Sequence, residues 1–250
     1  MYIDTHCHLI KSEYDNINEV VKKLEDNYAI VCGDNIKTNE EVLEVIEKYN
    51  NLFGMIGIHP NELENVDDEY LKKLENDLQN KKIVGIGEIG LDYHYDDSDK
   101  EKQKEFFIKQ LEIARKYNLP VTIHSRDAAL DTYEIVKNYS DLKITYHCYS
   151  YSLEMAKLLL KQNIKFGIGG VLTFKNSKTI KEVVEFLPIE NILLETDSPY
   201  LSPEPFRGEK NIPSNVTFVA KKIAEIKNIS YEEVLEKTLK NAKEQFDLDI

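Results

Sequence analysis

The chain has no tryptophan, only three cysteines, and just ten glycines and seven prolines in 250 residues. Glycine and proline are too sparse for a collagenous or low-complexity chain. With 42% hydrophobic and 31% charged residues, the composition is that of a globular protein. Cys7, Cys32 and Cys148 are odd in number and irregularly spaced, which argues against a disulfide framework. No apolar stretch approaches the ~20 residues that would cross a bilayer. Met1-Tyr2-Ile3-Asp4 opens the chain with neither a basic flank nor an apolar run of the signal-peptide kind. A cytoplasmic, reduced protein with no membrane contact and no obligate protein partner is expected. Positive charge is also short: 32 Lys and Arg against 45 Asp and Glu leave −13. A broad basic face for nucleic acid would carry the opposite sign. A phosphate-bearing substrate must therefore be met locally, by a few cations or by bound metal.

What is present is strict alternation. Short apolar, β-branched runs at Tyr2–Asp4, Ala29–Cys32, Phe53–Ile58, Ile83–Glu88, Pro120–His124, Lys143–His147, Lys165–Ile168 and Asn191–Thr196 read as eight strands. Between them lie stripes of helical period, such as Ile17/Val20/Val21/Leu24, Val42/Val45/Ile46/Tyr49, Ile180/Val183/Val184/Leu187 and Val216/Val219/Ala220/Ile223. A last helix starts at Ser230, with Glu233 three residues on. Alternation of this kind implies parallel strands with helical crossovers. Eight units over residues 1–250 predict a single-domain α/β chain, a TIM (β/α)8 barrel. A doubly wound open sheet is the alternative. The lack of G-x-G-x-x-G after the first strand weighs against its dinucleotide-binding form.

The chemistry gathers at strand ends. His6 and His8 close the first strand, His59 follows the third, Glu88 ends the fourth, His124 the fifth, His147 the sixth and Asp197 the eighth. In a barrel these ends form one rim, where active sites are built. Period 2 turns Asp4, His6 and His8 to one face, with Asp4 one layer below as a hydrogen-bond partner. Cys7 turns the other way as a small apolar filler. Glu88 shares a face with Val84 and Ile86, and Gly85 and Gly87 suit close helix packing. Glu195 and Asp197 share the face of Leu193, and Pro199 ends the strand. Asp197 reads as a metal ligand and general base. Glu195 reads equally as a cation-facing acid or as a layer-filling acid paired to a histidine or lysine.

The set His6, His8, Glu88, His124, His147 and Asp197 mixes imidazole with carboxylate. It suits two divalent ions of the zinc or manganese type better than an all-oxygen magnesium cage, with magnesium admitted where phosphate oxygens complete the shell. Two such ions can activate water and clamp a phosphodiester, and they offset the acidity of the chain.

The runs Asp4-Thr5-His6-Cys7-His8, Gly57-Ile58-His59-Pro60, Gly87 to Tyr93, Ile123 to Ala128, Tyr146-His147-Cys148, Thr173-Phe174-Lys175, Glu195 to Pro199, and Arg207-Gly208 with Asn211 resemble the TatD-type metal-dependent DNases. They occur in order across nearly the whole chain. The resemblance implies an amidohydrolase-like barrel that cleaves DNA with two divalent ions. By it, His6, His8 and Asp197 bind one ion, His124 and His147 the second, and Glu88 bridges them as a further catalytic residue beside Asp197. It also implies that His59, Arg126 and Arg207 lie near the substrate phosphate. Tyr151, where the family usually has glycine, and Ile212, where it has glutamate, depart from the pattern and bear on substrate preference. Two other functions compete. One is a small-molecule amidohydrolase cutting a C–N or lactone bond, which in related barrels goes with a carboxylated lysine where this chain has Glu88. The other is a barrel that only binds a ligand. Rim tyrosines such as Tyr93, Tyr149, Tyr151 and Tyr200 could stack bases, or be padding, and His94 belongs to the surface or the substrate side.

Overall fold

Parallel strands covered on both faces need near-continuous apolar runs, and Tyr28-Ala29-Ile30-Val31-Cys32 is such a run. In the computed structural model, which describes residues 1–64, 66–95, 99–162 and 164–250, eight strands form one parallel sheet. They are β1 (Ile3–Cys7), β2 (Tyr28–Cys32), β3 (Leu52–Ile56), β4 (Ile83–Asp92), β5 (Val121–Arg126), β6 (Ile144–Tyr146), β7 (Lys165–Ile168) and β8 (Ile192–Leu194). Their spatial order is β1 to β8 in sequence. A doubly wound sheet would reverse its order partway; this one does not. The helices between them are α1 (Ile17–Lys22), α2 (Ile36–Lys48), α3 (Asp68–Asp77), α4 (Lys100–Tyr117), α5 (Ala129–Val136), α6 (Leu153–Leu160) and α7 (Lys178–Phe186). Two more, α8 (Val216–Lys227) and α9 (Tyr231–Phe246), follow β8. Each presents an apolar stripe to the sheet, as α2 does with Val42, Val45 and Ile46. Ser230 caps α9 by accepting the Glu233 amide N–H at 3.0 Å.

The sheet closes between its first and last strands. The Asp197 and His8 amides donate to the carbonyls of His6 (3.0 Å) and Ser198 (2.7 Å), and the Thr5 hydroxyl donates to the Leu194 carbonyl at 3.0 Å. Eight parallel strands, each followed by helix, make a TIM (β/α)8 barrel. At the N-terminal ends of the strands, Ile3, Ile30, Met55 and Leu193 form an inner apolar layer covered by Ala242, Phe246 and Leu248 of the C-terminal segment. The larger core lies between the strands and the helices. Apolar filling at the bottom leaves the polar side chains to the opposite rim.

Three local readings change. The β1–β2 register shifts between Asp4 and Cys7, so period 2 breaks there. Ile3 joins the inner bottom layer. Asp4 meets no histidine ring: its carboxylate accepts the His6 and Thr196 amides, at 3.2 and 2.9 Å, and the Thr196 hydroxyl, fastening β1 to the chain after β8. Gly85 and Gly87 admit a neighbouring strand, not a helix. A Cβ on Gly87 would lie 3.0 Å from Thr122 of β5, and one on Gly85 2.9 Å from the Pro120 carbonyl. Finally, β4 runs four residues past Glu88, to Asp92, with a second register shift between Ile86 and Ile89.

Candidate metal centre

Glu88, inside β4 and 4% exposed, stands at the centre of the rim. One carboxylate oxygen, Oε1, lies 2.6 Å from His124 Nδ1 and 2.7 Å from His147 Nε2. The other, Oε2, lies 3.4 Å from His6 Nε2 and 3.8 Å from His8 Nε2. Asp197 approaches the second pair, its Oδ1 3.7 Å from His6 Nε2 and 3.5 Å from His8 Nε2. Asp197 has φ of +55°, a left-handed conformation that aspartate tolerates better than most residues. Its amide is held by the His6 carbonyl. All six residues picked from the sequence thus converge. His59 joins them, its Nε2 3.8 Å from Glu88 Oε1 and its ring edge-on to His124 at 4.3 Å.

The rings are oriented from behind. His8 Nδ1 donates to the Cys32 carbonyl at 3.0 Å, and His6 Nδ1 lies 3.3 Å from the Cys32 thiol. Both Nε2 atoms are therefore turned inward, 3.4 Å apart. Atoms bound tetrahedrally to one ion at about 2.0–2.2 Å stand about 3.3–3.6 Å from one another. Every pair of the His6, His8, Glu88 and Asp197 donors that includes a histidine lies 3.4–3.8 Å apart, close to that spacing, so the residues present fit a divalent cation. Behind His147 lies Glu195, its Oε1 3.8 Å from Nδ1 and accepting the Cys148 amide. This is the histidine-paired reading of Glu195. Gly167 makes the room, since a Cβ there would sit 2.0 Å from Glu195 Oε2.

Charge is divided unevenly over the cluster. Burial, reinforced by His147, pushes His6 down to about 4; burial and His124 push His59 down to about 3. Burial also works against charge on His8 and His147, but the Asp197 and Glu88 carboxylates outweigh it and raise them to about 9 and about 10. Burial opposes ionisation of Glu88 and Asp197 as well. The surrounding imidazoles prevail and hold both below the usual carboxylate range, whereas burial raises Glu195 to about 7. Imidazoles and carboxylates compete here for protons that a cation would displace.

Sequence reasoning missed Asp92, Asn61 and Cys32. Asp92, 1% exposed, puts Oδ2 3.2 Å from His124 Nε2. Its signal was available: Glu88, Gly90 and Asp92 are spaced by two. Arg126 and Arg207 lie exposed on the rim, their guanidinium groups 5.9 Å and 4.3 Å from the ring centres of Tyr95 and Phe174. Cys7 is a buried filler, its thiol donating to the Ile30 carbonyl. His94 is exposed, 2.9 Å from Asp127. Tyr151 ties two rim loops together, its hydroxyl 2.9 Å from Ser125 Oγ and accepting the Ala128 amide at 3.2 Å. Ile212 is half-buried against the main core. Among the described residues, no helix is long and apolar enough to cross a membrane.

A family model described as TatD related DNase matches residues 3–247. The chain is 40% identical to the metal-dependent hydrolase YabD of Bacillus subtilis over 252 residues, covering 98% of this chain and 99% of that one. It is 32% identical to the metal-dependent hydrolase YcfH of Escherichia coli, covering 99% and 96%. The crystal structure of the TatD homologue YjjV of Escherichia coli superposes with a TM-score of 0.92 at 29% identity, over 99% of this chain and 98% of that one. The chain belongs to the TatD-related DNase family and is a metal-dependent hydrolase.

Proposed function

We propose that the chain is a cytoplasmic deoxyribonuclease that hydrolyses DNA phosphodiester bonds with two divalent cations. The observation that carries this reading is Glu88, which turns one oxygen to His124 and His147 and the other to His6 and His8. His6, His8 and Asp197 would hold one ion, His124 and His147 the other, and Glu88 both. When bound, the ions supply Lewis acidity: they lower the pKa of a water and neutralise phosphate charge. Asp197 accepts the proton of the attacking water. Its imidazole neighbours keep it ionised at neutral pH, and its side chain, 15% exposed, reaches the open side of the cluster. His59 lies over the same centre. Arg126 and Arg207 hold the flanking phosphates from the rim, each pre-oriented against an aromatic ring. The unpaired state of Cys7, Cys32 and Cys148 supports a reducing compartment.

DNA as substrate is supported by the family's description and by the two rim arginines. Glu88, standing where small-molecule amidohydrolases of this architecture carry a modified lysine, weighs against a C–N substrate. The test is product mapping on end-labelled single- and double-stranded DNA with magnesium, manganese or zinc, beside amide and lactone substrates. Metal-dependent DNA cleavage abolished by EDTA is expected. Turnover of the small substrates with intact DNA would overturn the proposal.

A further inference from the structure

Among the described residues, a third set of potential cation donors comprises His59, Asp92 and His124. It is not a third metal site. His59 Nδ1 accepts the backbone N–H of Asn61 at 3.1 Å. A neutral imidazole that accepts at one nitrogen carries its proton on the other. His59 therefore presents Nε2–H, not a lone pair, toward Glu88 Oε1 at 3.8 Å.

His124 is oriented in the opposite sense. Its Nδ1 faces Glu88 Oε1 at 2.6 Å and its Nε2 faces Asp92 Oδ2 at 3.2 Å. Asp92 is fixed on every side. Its Oδ2 accepts the Asn61 side-chain amide at 3.0 Å and its Oδ1 the His94 backbone amide at 3.0 Å. Its own backbone forms a reciprocal pair with the buried Gln103 of α4, N–H to Oε1 and C=O from Nε2, both at 2.9 Å. Both carboxylate oxygens are thus engaged with the chain itself.

We propose that Asp92 is a positioning residue for His124: it holds the Nε2 proton, so that Nδ1 is the nitrogen His124 offers to a cation. The adjoining Asn61 backbone gives His59 the same Nε2–H tautomer but with the ring turned the other way, so that its N–H rather than a lone pair faces the centre, making it a hydrogen-bond donor to the reacting phosphate. The inference rests on the two-cation reading of the site. Its chemistry is general: a carboxylate behind a ligating histidine fixes the ring and raises its basicity. His6 and His8 have only the thiol and carbonyl of Cys32 in that place.

The test combines two measurements with zinc as the probe. Long-range 15N–1H spectra of the zinc-loaded wild type, with His124 assigned through His124→Gln, should show His124 protonated at Nε2 and zinc-bound at Nδ1. His59 should be protonated at Nε2 and free of zinc. Calorimetric titration should give two zinc ions in the wild type, with Asp92→Asn weakening one of them by about 10–100-fold at an unchanged circular dichroism spectrum. Zinc bound through His124 Nε2, or both affinities within twofold in Asp92→Asn, would overturn this assignment alone. If Asp92→Asn fails to fold, the wild-type spectra decide. A wild type that takes up no zinc would overturn the two-cation reading, and the assignment with it.

Discussion

Replacing Glu88 by glutamine tests the bridging role at a single atom. The shape is kept, one negative charge is lost, and an amide NH2 group replaces one of the two oxygens, facing one of the two imidazole pairs. The side chain is 5% exposed and touches His6, His8, His124 and His147, so solvent cannot compensate. Removing one partner from a buried ionic cluster costs about 3–5 kcal/mol. Charged against cation binding, that is a loss of roughly two to nearly four orders of magnitude in affinity. At a metal concentration of about 100 times the wild-type Kd, one bound ion stabilises the fold by about 2.7 kcal/mol; a hundredfold weaker variant retains about 0.4 kcal/mol. A chain of this length gains roughly 2–4 °C in Tm per kcal/mol. For each ion, the metal-induced rise should therefore shrink from about 5–11 °C to about 1–2 °C. Thermal scans with and without manganese, together with metal analysis after dialysis, read both effects. A Glu88→Gln protein that keeps two ions and the full rise in Tm would refute the bridge.

Asp197→Asn should keep metal and DNA binding while turnover falls at least about a hundredfold, because the amide retains an oxygen ligand but has no basicity. Recovery of the rate in excess metal would instead make Asp197 a ligand only. The dependence of DNA binding on salt should be shallow, corresponding to about two to four phosphate contacts, since the chain carries −13 and the proposed site would meet phosphate through the metal ions and a few rim cations only. A steep slope in a titration from low to high salt would mean that surface lysines form a basic groove. Gly170→Ala places a methyl 2.1 Å from the Leu201 carbonyl in the adjoining rim loop, a backbone clash that should destabilise by about 1–3 kcal/mol. An unchanged melting temperature would mean that the rim loops shift freely.

The barrel was legible because buried parallel strands are written as apolar runs, and eight of them recur at the spacing of a βα unit. The convergence of His6, His8, His59, Glu88, His124, His147 and Asp197 was legible because barrel topology carries every strand end to one rim. What failed depended on local departures from period 2. Asp4 is the buried hydrogen-bond acceptor expected, but it takes the His6 and Thr196 amides and the Thr196 hydroxyl and not a ring, and the register shift between it and Cys7 was not legible. Asp92 was passed over because a charged Glu88 inside an apolar run reads as a strand end, whereas β4 continues through a second shift. Cys32 could not have been found by spacing at all. It meets His6 and His8 through its thiol and its backbone carbonyl, and a carbonyl contact leaves no mark on residue type.

The central claim is that six side chains on one rim hold two cations with Glu88 between them. Anomalous scattering from crystals soaked in millimolar zinc or manganese measures this directly. Two peaks are predicted, one among His6, His8 and Asp197, the other beside His124 and His147, each in contact with a different oxygen of Glu88. A single peak elsewhere, or no density near His6 and His124, would contradict it.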